Sequence, residues 1–306
     1  MHISLRHLRA FISVATTGSF TRAASALFVT QSALTKTIRE LEDDISLALF
    51  ERTTRRVSLT THGQSLYPIA ERLVKDFDKS MLDLRERCNG GSGTVNIACG
   101  LAFASSVLPE VARVLNARHP DIRLNILDNT SGGVVKLIDD GEMDLGFGSY
   151  VGAAKNLLGI RKILTARLGV LFPPDYPVPT KLGHDELVKL PILSDSDDSS
   201  IADTLNRQMP ELWGELDKKL VVTNLDLQLC FVRKSVGVCI VSALAASHPY
   251  ARGLPFKLID DPNLAREIFV FTRKTLPISP AAATFLSVMD EVLANIDFLE
   301  GVVLHQ

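Results

Sequence analysis

The sequence predicts a composite of α and α/β architecture, with a winged helix-turn-helix at the N-terminus, one long helix behind it and an α/β body filling the remainder. Three observations carry this. Apolar residues in the first fifty positions recur with helical period around a short turn, residues 64–88 sustain steps of three and four, and from Thr94 onward β-rich and helical runs alternate. At 306 residues the chain is too long for one small winged domain and fits two or three, and its 46% hydrophobic content can fill their cores.

The first helix is marked by Leu5, Leu8, Phe11, Ile12 and Ala15. Phe20, Ala23, Ala24 and Leu27 follow at i, i+3, i+4 and i+7, the apolar stripe of a second helix. After a break at Phe28 and Val29, Thr30 has the hydroxyl needed to cap the free N–H groups of a third helix, whose buried stripe is Leu34, Ile38 and Leu41. The opposite face of that helix offers Gln31, Ser32, Thr35, Lys36 and Arg39. Amide, hydroxyl and cationic groups ordered in this way suit the base edges and phosphates of a major groove, while a plain solvated face is the competing reading. Downstream, Leu49-Phe50 is apolar, and Glu51-Arg52-Thr53-Thr54-Arg55-Arg56 leads into the alternating Val57-Ser58-Leu59-Thr60. That pattern predicts a wing with Arg52, Arg55 and Arg56 placed for phosphate or minor-groove contact. The net charge of −2 is unevenly spread: residues 1–62 hold eight Lys/Arg against five Asp/Glu, or +3, which leaves −5 for the rest. The basic excess lies where the DNA contact is expected.

These residues are similar to the LysR-type transcriptional regulator family. The likeness is carried by F-T-R-A-A-x-x-L-x-x-T-Q-S-A-L-T-K-x-I-x-x-L-E-x-x-x-x-x-x-L-F-E-R at Phe20 to Arg52 and L-T-x-x-G at Leu59 to Gly63. The chain departs from the family pattern at Ser32, where proline is usual, at Thr35, where serine is usual, and at Ile45-Ser46, where Leu-Gly is usual.

Leu66, Ala70, Leu73, Phe77, Met81 and Leu84 form the seam of a helix over 64–88, with Glu71, Arg72, Lys75, Asp76, Lys79 and Asp83 on the other side. Packing within its own chain and pairing with a second copy both fit the spacing; the resemblance implies a dimerising linker helix, and assembly as a homodimer or homotetramer. Pro68 removes one helical hydrogen bond and predicts an early kink. Asn89-Gly90-Gly91-Ser92-Gly93 then reads as a hinge; it is no phosphate-binding loop, since no strand precedes it and no Gly-Lys-Ser/Thr follows.

In the body, strands are expected at Val95–Cys99, Ile122–Leu127 and Leu145–Gly148, with helices over Ser106–His119 and Gly133–Gly141 between them, a βαβαβ order that implies a parallel sheet. Further strands are expected near Gly169–Phe172, Ile192–Leu193, Leu220–Thr223, Val238–Val241 and Glu267–Thr272, before a long helix from Pro280 to Phe298. The resemblance implies a two-lobed α/β effector domain similar to periplasmic solute-binding proteins. The division is then residues 1–63 for DNA binding, 64–89 for the linker helix and 90–306 for regulation, with one lobe at about 94–160 and 267–306 and the other at about 161–266.

A small-molecule effector is expected between the lobes, where loops and helix N-termini at the carboxyl ends of parallel strands attract anions. Leu101, Ala102 and Phe103 would form an apolar wall, with Thr130, Ser131, Ser199 and Ser200 as polar contacts. Those hydroxyls could equally serve only to cap their helices. An organic anion suits the helix termini best, although Asp195, Asp197 and Asp198 crowd one rim. The acidic loop is not a calcium site of EF-hand type, which needs glycine sixth and Glu twelfth, where Ser200 and Asn206 stand.

The expected partners are therefore double-stranded operator DNA, a small-molecule effector, further copies of the chain and, in an activator, RNA polymerase. Catalysis, cofactors and metals find no support. His2, His7, His62, His119, His184, His248 and His305 are scattered, with no G-x-S-x-G or H-E-x-x-H motif, and Cys88, Cys99, Cys230 and Cys239 lack C-x-x-C spacing. No apolar run approaches the roughly 18 residues of a membrane span, and Arg9 interrupts any signal-peptide reading, so a cytoplasmic protein is expected. The alternative function is thiol-based redox sensing through Cys230 and Cys239; both are expected to be buried in a helix and a strand, which a sensor thiol cannot be.

Overall fold

The computed structural model describes residues 2–52, 57–88, 93–149, 158–196, 199–217 and 219–305. The chain divides into two compact units, Met1–Arg85 and Glu86–Gln306.

The first unit contains α1 (Leu5–Thr17), α2 (Phe20–Ala26), α3 (Gln31–Ile45), β1 (Phe50–Arg52), β2 (Val57–Leu59) and most of α4 (Thr61–Cys88). Ser19 caps α2 by accepting from Arg22 N–H, and Thr30 caps α3 by accepting from Ala33 N–H at 3.2 Å. Phe11, Leu34, Ile38, Leu41, Leu49 and Phe50 are buried in one core, where Phe11 and Phe20 pack on Phe50 with centroids 5.4 and 5.9 Å away. Within the motif, Glu42 accepts the backbone N–H groups of Leu49 and Phe50 at 2.8 and 3.2 Å, which ties the end of α3 to the start of β1. Thr60 donates to Ala48 O at 2.7 Å and accepts from Gly63 N–H at 3.0 Å. A Cβ at Gly63 would stand 2.3 Å from Leu49 O, so this helix must begin with a glycine to lie against the wing. Two non-glycine residues take left-handed backbone here, Phe28 at φ 56° between α2 and α3 and Ser46 at φ 57° after α3.

α4 continues through Pro68 as one 28-residue helix. Its seam divides: Ala70 is buried and Leu66 packs against the winged core, whereas Leu73, Phe77, Met81 and Leu84 are exposed.

The second unit contains β3 (Gly93–Cys99), α5 (Leu101–Ser106), α6 (Leu108–Arg118), β4 (Ile122–Asp128), α7 (Ser131–Asp139), β5 (Leu145–Gly148) and β6 (Leu158–Leu171). It continues with α8 (His184–Leu187), β7 (Leu193–Ser194), α9 (Ser200–Gln208), α10 (Pro210–Glu215), β8 (Leu220–Val221), α11 (Leu225–Arg233), β9 (Cys239–Ser242) and α12 (Ala243–Ala246). Last come β10 (Phe256–Leu258), β11 (Ala265–Arg273), α13 (Pro280–Asn295) and β12 (Val302–Leu304).

β3 pairs in parallel with both β4 and β5, as the βαβαβ rhythm predicts. β11 returns antiparallel between β5 and β6. β6 is the connecting strand: residues up to Arg167 pair with β11, and Leu168–Leu171 pair with β9 on one side and, over 169–171, with β10 on the other. One lobe is built on β3, β4 and β5 with core residues Val95, Phe103, Phe147, Phe285 and Met289, in which the Phe103 and Phe147 rings stack at 4.7 Å. The other is built on the end of β6 with β9 and β10, around Leu168, Phe172, Leu205 and Val238.

Four expectations are corrected. The helix expected over 106–119 is α6 at Leu108–Arg118, and a separate helix, α5, precedes it, ending before Pro109, which has no N–H to continue it. Consequently Leu101–Phe103, read as a loop wall, are the first turn of α5. The strand near 169–172 is the tail of the 14-residue β6, and β12 has no counterpart in the sequence reading. Finally, Cys230 is exposed, since the buried face of α11 passes through Leu229 and Val232.

Candidate functional sites: a polar helix face and an interlobe cleft

The α3 face follows directly from helical phase. With Leu34, Ile38 and Leu41 buried inward, Gln31, Ser32, Thr35, Lys36 and Arg39 line one shallow depression on the outside. Their hydrogen bonds are local. Thr21 donates to Gln31 Oε1 at 3.2 Å, which steadies the amide from α2, while Thr35 donates to Gln31 O at 2.8 Å and thereby directs its proton inward. Thr30 and Ser32 hydroxyls lie 3.1 Å apart. Lys36 Nζ is 3.8 Å from Glu40 Oε1, an exposed pair that costs little to exchange for a phosphate. Arg55 and Arg56 lie outside the described residues, as does the side chain of Arg52, whose backbone pairs with Val57.

In the second unit, a cavity of about 190 Å³ opens between the lobes at the carboxyl ends of β3, β4 and β5. All seven residues expected there line it: Leu101, Ala102, Phe103, Thr130, Ser131, Ser199 and Ser200. Thr130 accepts from Gly133 N–H at 3.3 Å and Ser199 from Ala202 N–H at 3.1 Å, so these two hydroxyls do cap their helices. Capping uses a lone pair of each oxygen and leaves its proton free to be donated. Ser131 and Ser200 are the first residues of α7 and α9, whose first-turn N–H groups have no helical acceptor.

Sequence reasoning missed Asp128, Gln228, Ser242 and Arg266, which also line the cavity. Gln228 and Ser242 are 5% and 1% exposed. Gln228 Nε2 donates to Val222 O at 2.7 Å, and Ser242 accepts from Ala245 N–H at 3.2 Å to cap α12. Arg266 Nε donates to Ser149 Oγ at 3.2 Å; burial pushes its guanidinium down to about 10, opposed by the negative charge of Asp195. Burial and the carboxylate of Asp226, on the opposite lobe, push Asp128 up. Asp226 in turn faces His248, whose Nδ1 accepts Tyr250 N–H at 3.0 Å and whose Nε2 lies 3.1 Å from Asp226 Oδ1 without hydrogen-bonding geometry. Ser242 was findable by the reasoning applied to Ser131 and Ser199, a hydroxyl between a strand end and a helix. Arg266 carries no such signal, because nothing local shows that its strand crosses between lobes.

Cys239 is fully buried and its thiol is pushed up to about 12, so at neutral pH it is not the thiolate that sensing requires. Among the described residues no cluster of His, Cys, Asp and Glu could hold a metal ion, and no helix is long and apolar enough to cross a membrane; Asp197 and Asp198 lie outside them.

The chain matches two family models, the bacterial regulatory helix-turn-helix protein of the lysR family over residues 5–64 and the LysR substrate binding domain over residues 89–294. It is 28% identical to the HTH-type transcriptional regulator YbhD of Escherichia coli, across 94% of this chain and 92% of that one. It is also 28% identical to the transcriptional activator protein LysR of the same species, across 82% and 81%. Among solved structures its fold is similar to a full-length OxyR variant from Pseudomonas aeruginosa (TM-score 0.66, 19% identity, 100% and 99% covered). It is likewise similar to full-length CbnR complexed with its target DNA (TM-score 0.64, 21% identity, 95% and 100% covered). A lysR-type helix-turn-helix and a LysR substrate binding domain together span most of the chain, and the chain belongs to the LysR family of DNA-binding transcriptional regulators.

Proposed function

We propose that this regulator binds operator DNA as a homodimer or homotetramer, with its DNA affinity or bending biased by a small molecule held between the lobes. The cleft carries the reading: one cavity, lined from both lobes, has Arg266 and Ile268 on its wall, from the β11 strand that pairs with β6. A ligand that touches both walls favours one lobe arrangement over another by its difference in affinity for the two, and linkage transmits that difference to DNA binding. Gln31, Ser32, Thr35, Lys36 and Arg39 read the major groove, with Arg52, Arg55 and Arg56 on the backbone or minor groove. Leu101, Ala102, Phe103, Thr130, Ser131, Ser199 and Ser200 contact the effector. The four exposed apolar residues of α4, Leu73, Phe77, Met81 and Leu84, continue the seam begun by half-buried Leu66 and buried Ala70 and support pairing with a second copy. The division into residues 1–63, 64–89 and 90–306 expresses these three tasks. The protein works in the cytoplasm, and as an activator it would contact RNA polymerase.

A small-molecule extract of the host, added to the protein on DNA from upstream of its own gene, tests the reading. The extract should change operator affinity of the wild type and leave that of Gly100→Phe unchanged, because Gly100 lines the cavity and a Cβ there meets nothing within 4 Å, which leaves room for a phenyl ring in the ligand's place. An identical response in both proteins would place the effector elsewhere.

A further inference from the structure

The cavity's charge and hydrogen-bonding balance narrows what it can hold. Its described walls carry two carboxylates, Asp128 and Asp195, against one cation, Arg266. Arg266 is already committed, with Ser149 at 3.2 Å and Asp195 opposing its buried charge, and is not spare to neutralise an incoming anion. Among the described residues Asp128 has no cation paired with it, only a backbone hydrogen bond at Asn129. Asp226, the acidic residue facing it from the other lobe, has His248 at 3.1 Å, an imidazole whose pKa burial depresses and Asp226 raises. Gln228 adds an independent demand. Its side chain is almost wholly buried, its amide nitrogen is used by Val222 O, and its Oε1, on the cavity wall, has no donor among the described residues. That acceptor opens onto the cavity and is available to a donor that a ligand brings. Near it, Asn224 accepts from Leu227 N–H at 3.2 Å, so that wall already uses its acceptors locally while Gln228 waits.

We infer that the effector carries a protonated nitrogen, an ammonium or guanidinium, which donates to Asp128 from one lobe and to Gln228 Oε1 from the other. Any anionic end it has is met by the first-turn N–H groups of α7 and α9 at Ser131, Ser200 and Ile201, on the walls of the same cavity. The ligand class is thus a zwitterion or amine, not a simple carboxylate. The nitrogen also explains how binding would close the cleft, since it bridges acceptors on opposite lobes that otherwise hold only negative charge and an unpaired carbonyl. This inference rests on the cleft being the effector site.

Three matched sets of probes separate the possibilities: the proteinogenic amino acids, the same molecules without their α-amino groups, and the same molecules without their α-carboxylates. Each is added at millimolar concentration to the full-length protein, and binding is read as a rise in melting temperature and by titration calorimetry. Binding should be confined to the two amine-bearing sets. In Asp128→Asn the affinity of those binders should fall at least tenfold, whereas Gln228→Glu, which keeps the shape and adds a negative acceptor, should retain or strengthen it. Binding by carboxylates lacking the amine, or equal affinity in Asp128→Asn, overturns the inference, and so does silence from all three sets. Gly100→Phe distinguishes the two levels: binders lost in that variant sit in the cleft whatever their chemistry, and binders retained by it refute the cleft reading itself.

Discussion

Replacing Gly63 by alanine sets two effects of opposite sign against each other. Alanine is the better helix former by about 1 kcal/mol, so at an ordinary position in α4 the change would stabilise. Here the added Cβ would stand 2.3 Å from Leu49 O and 2.9 Å from Leu59 Cδ2. A comfortable carbon–oxygen contact is about 3.3 Å, so backbone must move by roughly 1 Å, and overpacking of that kind costs about 1–3 kcal/mol. Leu49 O also accepts Thr60 N–H at 3.0 Å, and displacing it weakens a hydrogen bond worth about 1 kcal/mol. The balance is a loss of about 2 kcal/mol, or roughly 10 °C in the melting temperature of a unit this size. Because Leu49 and Leu59 flank the wing, operator affinity should fall as well. Thermal unfolding of the full chain, with amide exchange followed at Leu49 to Leu59, provides the assay. A variant as stable as the wild type, or more so, would refute the close approach of α4 to the wing and with it the explanation of the L-T-x-x-G motif.

Ser46→Gly should stabilise the first unit by about 0.5–1 kcal/mol, because glycine takes the φ of 57° at the end of α3 without strain, and chemical denaturation would register the shift. Lys36→Ala should weaken operator binding evenly across sequences and lower the salt slope by about 0.9, whereas Gln31→Ala should lose about 1–3 kcal/mol of base discrimination; binding titrations on variant operators separate the two. Cys99 and Cys239 are both raised from 9.0 to about 12 by burial, so the folded state holds protons that the unfolded chain releases. Their contribution is complete below pH 9 and is lost as pH rises toward 12; replacing both by alanine should flatten that alkaline fall in stability, read by denaturant melts at a series of pH values. Because Cys239 is buried and protonated it cannot pair with exposed Cys230 in a disulfide, and peroxide should leave DNA binding unaltered in the wild type and in Cys230→Ser alike.

The first 63 residues were the most legible part of the chain because their structure is local. Each helix announces its cap and its stripe within one or two turns, and the motif residues Glu42, Thr60 and Gly63 act on neighbours fewer than fifteen positions away. The parallel strands β3, β4 and β5 were legible for the same reason. What stayed hidden was set by distant partners: β6 reads as a strand only at its apolar end, since its first half is half-exposed against β11 about a hundred residues later. The cleft followed this division. Thr130, Ser131, Ser199 and Ser200 came from strand-end reasoning, but Arg266 and Gln228 are functional candidates only because remote segments bury them. Cys230 misled because its neighbours are apolar, while helical phase turns that one side chain outward.

Whether this chain reads an operator through α3 is decided most simply by binding of the purified protein, across a range of salt, to DNA from upstream of its own gene and to a scrambled duplex of equal length. A preference for the upstream DNA should persist at moderate salt, because base contacts from α3 add to phosphate contacts that both duplexes share. Equal binding to the two duplexes, abolished together by salt, would contradict sequence reading by α3.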